Sequence, residues 1–237
     1  MQFRALIQVE GVSEYTVVDL FDPQLSEIER EEVFEACIAI HSEYFPSYPH
    51  VIEELQDHLL SHVPPRGERV HAWLVVRDEE PVGLWVMNIN AKNGIVMMLF
   101  GSIHRWARID LPREYLTHLV NFLLSLCVAE AHNRDEKIYA AILESDTGHI
   151  ARWVSHGFFV ADPEYQEPQH GSRWSEFGDL KFFDAYSACV FPIDAGIGMS
   201  EEVLAKIALS TLLVDHYLLP EDHQAVVSSL QRGTQLR

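Results

Sequence analysis

The sequence is poor in cysteine and in basic residues, and it has no long uninterrupted apolar run. Cys37, Cys127 and Cys189 are the three cysteines in 237 residues. They lie far apart and form no CxxC pair, so a disulfide scaffold is excluded and reduced thiols in a cytosol are expected. Lysine and arginine total 17 against 36 acids, a formal charge of −19. Nucleic-acid binding draws its affinity from Lys and Arg clustered on phosphates, and this balance excludes it. The acid surplus fits a cationic small molecule or a basic peptide, or serves solubility alone. The most apolar stretch, 115–131, is interrupted by His118 and Asn121. It falls short of the ~20 residues that cross a bilayer, so it reads as a core helix and no membrane partner is expected. The opening MQFRALIQVEGVSEY has neither a sustained apolar run nor a small-residue cleavage site, and no secretory signal is read there.

Hydrophobic residues make up 48% of the chain, enough for one large core or two small ones. Strand-like runs at Arg4 to Glu10 and Tyr15 to Leu20 flank the turn residues Gly11 and Ser13, as in a hairpin. Helical spacing follows from Leu25 to Tyr44, and again from His50 to His62. Three strands come next, Val70 to Arg77, Val82 to Ile89 and Gly94 to Phe100, joined by DEEP and NAKNG turns. The third, GIVMMLF, is apolar on both faces and belongs at the centre of a sheet. A polar loop, SIHRWARIDLP, leads into a helix from Pro112 to His132. Ile138 to Leu143 reads as a buried strand. Asp146 and Thr147 are capping candidates for a short helix that Gly157 ends. Phe158 to Ala161 and Tyr186 to Ile193 form a last strand pair, and Ser200 to Leu219 and Glu221 to Gln231 add two helices.

This order of elements from Tyr15 to Ile193, with the segment IYAAILESDTGHIARWVSHGFF ending in Gly157-Phe158, resembles the GCN5-related N-acetyltransferases. The resemblance implies a mixed α/β (α+β) fold with a mostly antiparallel central sheet flanked by helices. It places the acyltransferase domain at 1–194, with 195–237 as an extra C-terminal helical pair packed on that domain or on the partner of a homodimer. It also implies a cytoplasmic enzyme that uses acetyl-CoA or another acyl-CoA. In that fold the thioester lies by Phe100, Gly101 and Ser102, whose backbone amides are the oxyanion donors, and Trp153 stands where many members carry a tyrosine acid. The phosphates belong to RIDLPREY, with Arg105, Arg108, Ile109, Asp110, Leu111 and Arg113 around them. A pyrophosphate favours free amides at a helix N-terminus and glycines that let the backbone approach. Here Arg108 takes the family's arginine place but no glycine follows, Pro112 removes a donor, and Asp110 and Glu114 add negative charge.

Acyl transfer to an amine needs a base and a donor to the thioester oxygen, and often an acid for the leaving sulfur. Glu144 is the first candidate base, because a carboxyl near the end of a buried strand can hold its proton to higher pH. His104 is the second, since imidazole titrates in a useful range, and His149, one turn before Trp153, is a candidate acid. Each also has a bland alternative: a sheet-end carboxylate in water, a loop histidine, a surface histidine. His58 and His62 share an i, i+4 spacing near Asp57 and His71, but without an HExxH or a Cys–His cluster no metal is expected. Tyr44, Phe45 and Tyr48 either line an acceptor pocket or form a hydrophobic clasp. The leading expectation is acetyl transfer to a small cationic amine. The rivals are a catalytically silent binding or regulatory protein, and an enzyme using the same scaffold on another acyl-CoA or acyl-carrier thioester.

Overall fold

A computed structural model describes residues 6–61, 68–169, 181–183, 186–193 and 198–233. Eight strands are hydrogen-bonded in the order β1-β2-β3-β4-β5-β6-β10-β7. They are β1 (Ile7–Gln8), β2 (Thr16–Asp19), β3 (Arg69–Arg77), β4 (Glu80–Asn90), β5 (Ile95–Ile103), β6 (Ala140–Asp146), β7 (Phe159–Asp162) and β10 (Tyr186–Pro192). A separate pair joins β8 (Glu167–Gln169) to β9 (Lys181–Phe183). β1 with β2, β2 with β3, β6 with β10 and β10 with β7 are antiparallel, whereas β5 and β6 run parallel. The helices are α1 (Glu27–Tyr44), α2 (His50–Ser61), α3 (Tyr115–His132), α4 (Ile150–Ser155), α5 (Glu201–Ser210) and α6 (Gln224–Gly233). This is the mixed, mostly antiparallel α/β architecture expected from the order of elements. Among the described residues no helix is long and apolar enough to cross a membrane.

The chain divides into two compact units. One comprises Met1–Val63, Val70–Asn88 and Leu99–Cys127; the other comprises Pro64–Arg69, Ile89–Met98 and Val128–Arg237. In the first, α1 opens on a reciprocal cap: the Ser26 hydroxyl accepts from the Glu29 N–H, and the Glu29 carboxylate accepts from the Ser26 N–H. Such a cap satisfies two helix-end donors and is worth about 1 kcal/mol. Val33, Cys37 and Ile40 of α1, Val17 and Val18 of β2, Leu74 of β3 and Leu119 and Leu123 of α3 are buried. Each such side chain contributes about 1.5–3 kcal/mol through apolar burial.

In the second unit, Val96, Met97, Ile142 and Val190 are buried on adjacent strands, and α5 packs on β6, β7 and β10 through Leu204, Ala205, Ala208 and Leu209. The expected single helix from Ser200 to Leu219 is two pieces. After α5 the chain widens into a π-helical segment, Thr211–His216, and stops at Leu218, whose φ is +57°.

Several boundaries differ from the sequence reading, and at two of them strand pairing overrides polarity. β5 runs on to Ile103 instead of stopping at Phe100. Gly83 of β4 lets the neighbouring backbone come so close that a Cβ there would lie 2.6 Å from the Ser102 carbonyl oxygen. β6 continues past Leu143 to Asp146 because β10 pairs with it over its whole length, Tyr186 opposite Asp146 and Pro192 opposite Ala140. α3 begins at Tyr115, three residues after Pro112, whose carbonyl accepts the Tyr115 N–H in a preceding turn. Of the expected elements, Arg4 and His62 lie outside the described residues.

Candidate functional site

The segment from Phe100 to Arg113, in the first unit, gathers most of the residues expected to hold a cofactor. Phe100, Gly101 and Ser102 lie on the last turn-ward stretch of β5. Gly101 is required there, since a Cβ would sit 2.6 Å from the Trp85 ring. The Ser102 hydroxyl is buried and makes no hydrogen bond, an orphan donor of the kind that native structures seldom leave unpaired. Phe100 is ringed edge-on by three aromatic side chains from α1 and the turn after it: His41 at 5.4 Å, Phe45 at 5.1 Å and Tyr48 at 5.3 Å between centroids. Edge-to-face packing of this kind is favoured by the ring quadrupoles. It makes Phe45 and Tyr48 a clasp on the strand end, while Tyr44 turns elsewhere.

Tyr44 reaches His104, with 2.8 Å between its hydroxyl and Nδ1, and the Glu43 carboxylate lies 3.6 Å from the same nitrogen. Trp106 stacks on the imidazole at 6.0 Å. His104 is therefore a held group, not a loose loop histidine. A single 3-10 turn, Trp106–Arg108, follows. It is fastened from below: the Ala107 carbonyl accepts from the Tyr15 hydroxyl at 3.0 Å and from Arg77 Nη1 at 2.7 Å, and Arg77 also reaches the Ile109 carbonyl at 3.4 Å. Neither Tyr15 nor Arg77 stood out in the sequence, because each reads locally as an ordinary strand residue.

Beyond Arg108 the backbone makes a turn that the sequence did not announce. Asp110 has φ +68°, the left-handed conformation that glycine adopts freely and other residues seldom do. The turn has this shape without a glycine, and an aspartate occupies it. Arg105, Ile109, Asp110 and Arg113 are exposed and Arg108 is partly so. The fit to a thioester cofactor is thus a mixed one: three guanidinium groups, a left-handed turn ahead of an 18-residue helix and an orphan hydroxyl favour it. The Asp110 charge opposes it.

Within the second unit, Glu144 is partly buried on β6 rather than lying at its end. The Tyr217 hydroxyl donates to Glu144 Oε2 at 2.7 Å, and Glu144 Oε1 is buried with no hydrogen-bond partner. Burial pushes the Glu144 carboxyl above its ordinary range, with the Tyr165 and Tyr217 phenols and the His216 imidazole acting in the opposite direction. Burial, with the Glu144 charge, raises both phenols well above 10. These two tyrosines were missed in the sequence, where Tyr217 reads as one more apolar position of a helix.

His149 precedes α4 and makes no side-chain cap; its Nδ1 lies 2.6 Å from the Asp146 carboxylate, at the surface. The hydrogen bond from His149 holds the Asp146 carboxyl below its usual range. Trp153 packs its indole edge-on against Phe158 at 5.3 Å. His58 rests against the Phe21 ring and His71 pairs with Asp19 at 2.6 Å. Among the described residues no three His, Cys, Asp or Glu side chains gather as a metal site.

No family model and no curated protein matches the chain. Solved structures do overlap it. The crystal structure of Tetrahymena GCN5 is 16% identical, covers 75% of this chain and 96% of its own, and gives a TM-score of 0.47. RimL, the ribosomal L7/L12 alpha-N-protein acetyltransferase in complex with coenzyme A, is 14% identical over 80% of this chain and 99% of its own, with a TM-score of 0.49. A GNAT family acetyltransferase from Elizabethkingia anophelis, with acetyl-CoA bound, is 11% identical over 76% and 99%, with a TM-score of 0.42.

Proposed function

We propose that this chain is an acyl-CoA-dependent N-acyltransferase whose acceptor is a small cationic amine or the amine of a basic peptide. The observation that carries the reading is the turn at Asp110, with φ +68°, two residues after Arg108 and shortly before α3 begins. A left-handed residue between an arginine and a helix N-terminus can turn backbone amides to one side, as in sites that bind phosphate oxygens. Here the Ile109 and Leu111 amides already donate to the Trp106 and Arg108 carbonyls, so the guanidinium groups carry most of the binding. Arg105, Arg108 and Arg113 are assigned to the phosphates. The backbone of Phe100, Gly101 and Ser102 is assigned to the acyl oxygen, with the Ser102 hydroxyl as a further donor.

When bound, the coenzyme supplies an acyl group activated as a thioester. Transfer forms a bond from the acceptor nitrogen to the acyl carbon and breaks the bond from that carbon to sulfur. The proton lost by the ammonium goes to a base, and the departing thiolate takes one up. Glu144 is the base we assign. A carboxyl kept protonated to higher pH by burial accepts a proton from an amine more readily than one in water. His104, held by Tyr44, is the other group able to move a proton. A net charge of −19 draws cationic acceptors towards the protein.

One observation favours a second reading. The Trp153 indole is a packing group on Phe158 and cannot donate a proton to sulfur, which suits a catalytically silent binding protein. Calorimetric titration with acetyl-CoA, paired with thiol release across a panel of amines, separates the readings. Heat with thiol release supports the enzyme, and heat without thiol release supports the silent binder. The absence of both overturns the thioester reading altogether.

A further inference from the structure

We propose that Tyr217 is the positioning residue of the Glu144 carboxylate: it holds one carboxylate oxygen, Oε2, and so fixes how the carboxylate is turned. The inference rests on the reading of Glu144 as the base and adds a residue from the C-terminal helices to that function.

The backbone makes this placement unusual. In a regular α-helix adjacent side chains diverge by about 100°, so one face meets the core and the next does not. Here His216 and Tyr217 are consecutive, and both are buried, at 1% and 3% exposure. The π-helical segment makes this possible: the Tyr217 N–H bonds the Leu212 carbonyl, five residues back, at 3.0 Å. Leu218 then leaves in the left-handed conformation, which a leucine does not favour. Widened turns of this kind are a recurring feature of functional sites. The two side chains go to two different carboxylates, His216 Nδ1 to Glu68 Oε2 at 3.0 Å and the Tyr217 hydroxyl to Glu144 Oε2 at 2.7 Å.

A second phenol faces the same carboxylate. Tyr165 is buried against it, and neither its hydroxyl nor Glu144 Oε1 makes a hydrogen bond of ordinary length, so Oε1 is the oxygen left to take a proton. The groups facing Glu144 are Tyr165 from the turn before β8, Tyr217 and the His216 imidazole, while Glu167 of β8 and Asp162 of β7 act on the phenols. A phenol donating to a carboxylate stabilises its charged form and lowers its proton affinity, against the effect of burial. Tyr217 thereby opposes the effect of burial on Glu144 and fixes which oxygen receives the proton.

The test compares wild type with Tyr217→Phe and with Ser229→Ala, a change at another buried hydroxyl of the same unit. The acid limb of the kcat/KM profile against pH is recorded with the amine found by the panel. The Glu144 carboxyl is titrated by carbon NMR on glutamate-labelled protein, its signal identified by loss in Glu144→Gln. Removing the phenol donor raises the Glu144 proton affinity, so Y217F moves the limb and the NMR midpoint towards alkaline pH by at least half a unit. That is about a threefold loss of kcat/KM at a fixed pH below the limb, while S229A leaves both in place. An unmoved NMR midpoint in folded Y217F, or an equal shift in S229A, overturns the proposal. If wild type releases no thiol, the functional reading falls by itself, and the NMR midpoints still decide whether Tyr217 sets the protonation of Glu144.

Discussion

Arg232 grips Asp162 through two parallel contacts, Nε to Oδ1 at 2.6 Å and Nη2 to Oδ2 at 2.8 Å, and so fastens the last turn of α6 to the end of β7. The Asp162 carboxylate is fully buried. It also accepts from the Ser229 hydroxyl and from the Glu164 N–H at 3.0 Å, so that all its lone pairs are engaged. Breaking one side of such a buried pair leaves an uncompensated charge, which is worse than losing both partners. Arg232→Met is therefore expected to destabilise the protein by about 3 kcal/mol. Arg232→Met with Asp162→Asn should cost clearly less than the sum of the single changes. Urea unfolding of the four proteins of the cycle measures this, and additive losses would show that the pair is not coupled.

His41 gives stability a pH dependence whose sign can be fixed. Its ring is 1% exposed between Phe45 and Phe100, and Nε2 makes no hydrogen bond. Burial lowers its pKa from 6.5 to about 4. The unfolded chain then binds the proton more tightly than the folded one, so stability is full above pH 6.5 and falls as the pH drops towards 4. The loss reaches about 3 kcal/mol at its limit. His41→Phe, which keeps an aromatic ring against Phe100, should remove this part of the slope. Unfolding midpoints between pH 4.5 and 7.5 in both proteins check it, and parallel curves would count against the assignment.

These two sites show what the sequence carried and what it did not. The strands β3 to β5 and the helices α1 and α2 were legible because apolar periodicity and turn residues are local signals. Glu144, His104 and the arginines could be picked out as candidates from the order of elements. The partners that define them were not. Tyr217 lies 73 residues from Glu144, and a tyrosine in an apolar helical stripe gives no sign that it will reach a carboxylate. The π-helical segment was read as continuous helix, because a widened turn leaves composition unchanged. The left-handed turn at Asp110 was hidden for a simpler reason: its usual marker, glycine, is absent.

The turn between β3 and β4 holds two more residues in that conformation, Asp78 with φ +51° and Glu79 with φ +66°. Two consecutive left-handed residues form the tight hairpin turn that suits the twist of the strands and that Asn-Gly fills best. Aspartate tolerates the geometry through its short polar side chain, whereas glutamate has no such compensation. Glu79→Gly should stabilise the protein by about 0.5–1 kcal/mol, and Asp78→Asn with Glu79→Gly by about 1 kcal/mol or slightly more. A rise in the thermal midpoint with unchanged ligand binding is the expected result. A fall would mean that the Glu79 side chain has a role that its geometry does not reveal.

The same reasoning at Asp110 bears on function. If the left-handed turn after Arg108 is a phosphate cradle, the aspartate side chain both strains the backbone and repels the ligand. Asp110→Gly relieves both effects: losing a nearby charge, worth about 0.3–1 kcal/mol at a helix start, should tighten acetyl-CoA binding about two- to fivefold, and losing the strain should stabilise the protein by about 1 kcal/mol. Asp110→Ala removes the charge but keeps a Cβ in the left-handed region, so it should gain similar affinity and lose stability. Arg108→Ala should weaken binding by tenfold or more, as the loss of a charge-assisted contact to phosphate requires. Calorimetry at fixed salt measures all three, because ion pairing weakens as salt rises. Equal affinities for D110G, D110A and wild type would mean that this turn does not touch the phosphates. The arginines would then be an exposed cluster making surface ion pairs of little energetic weight.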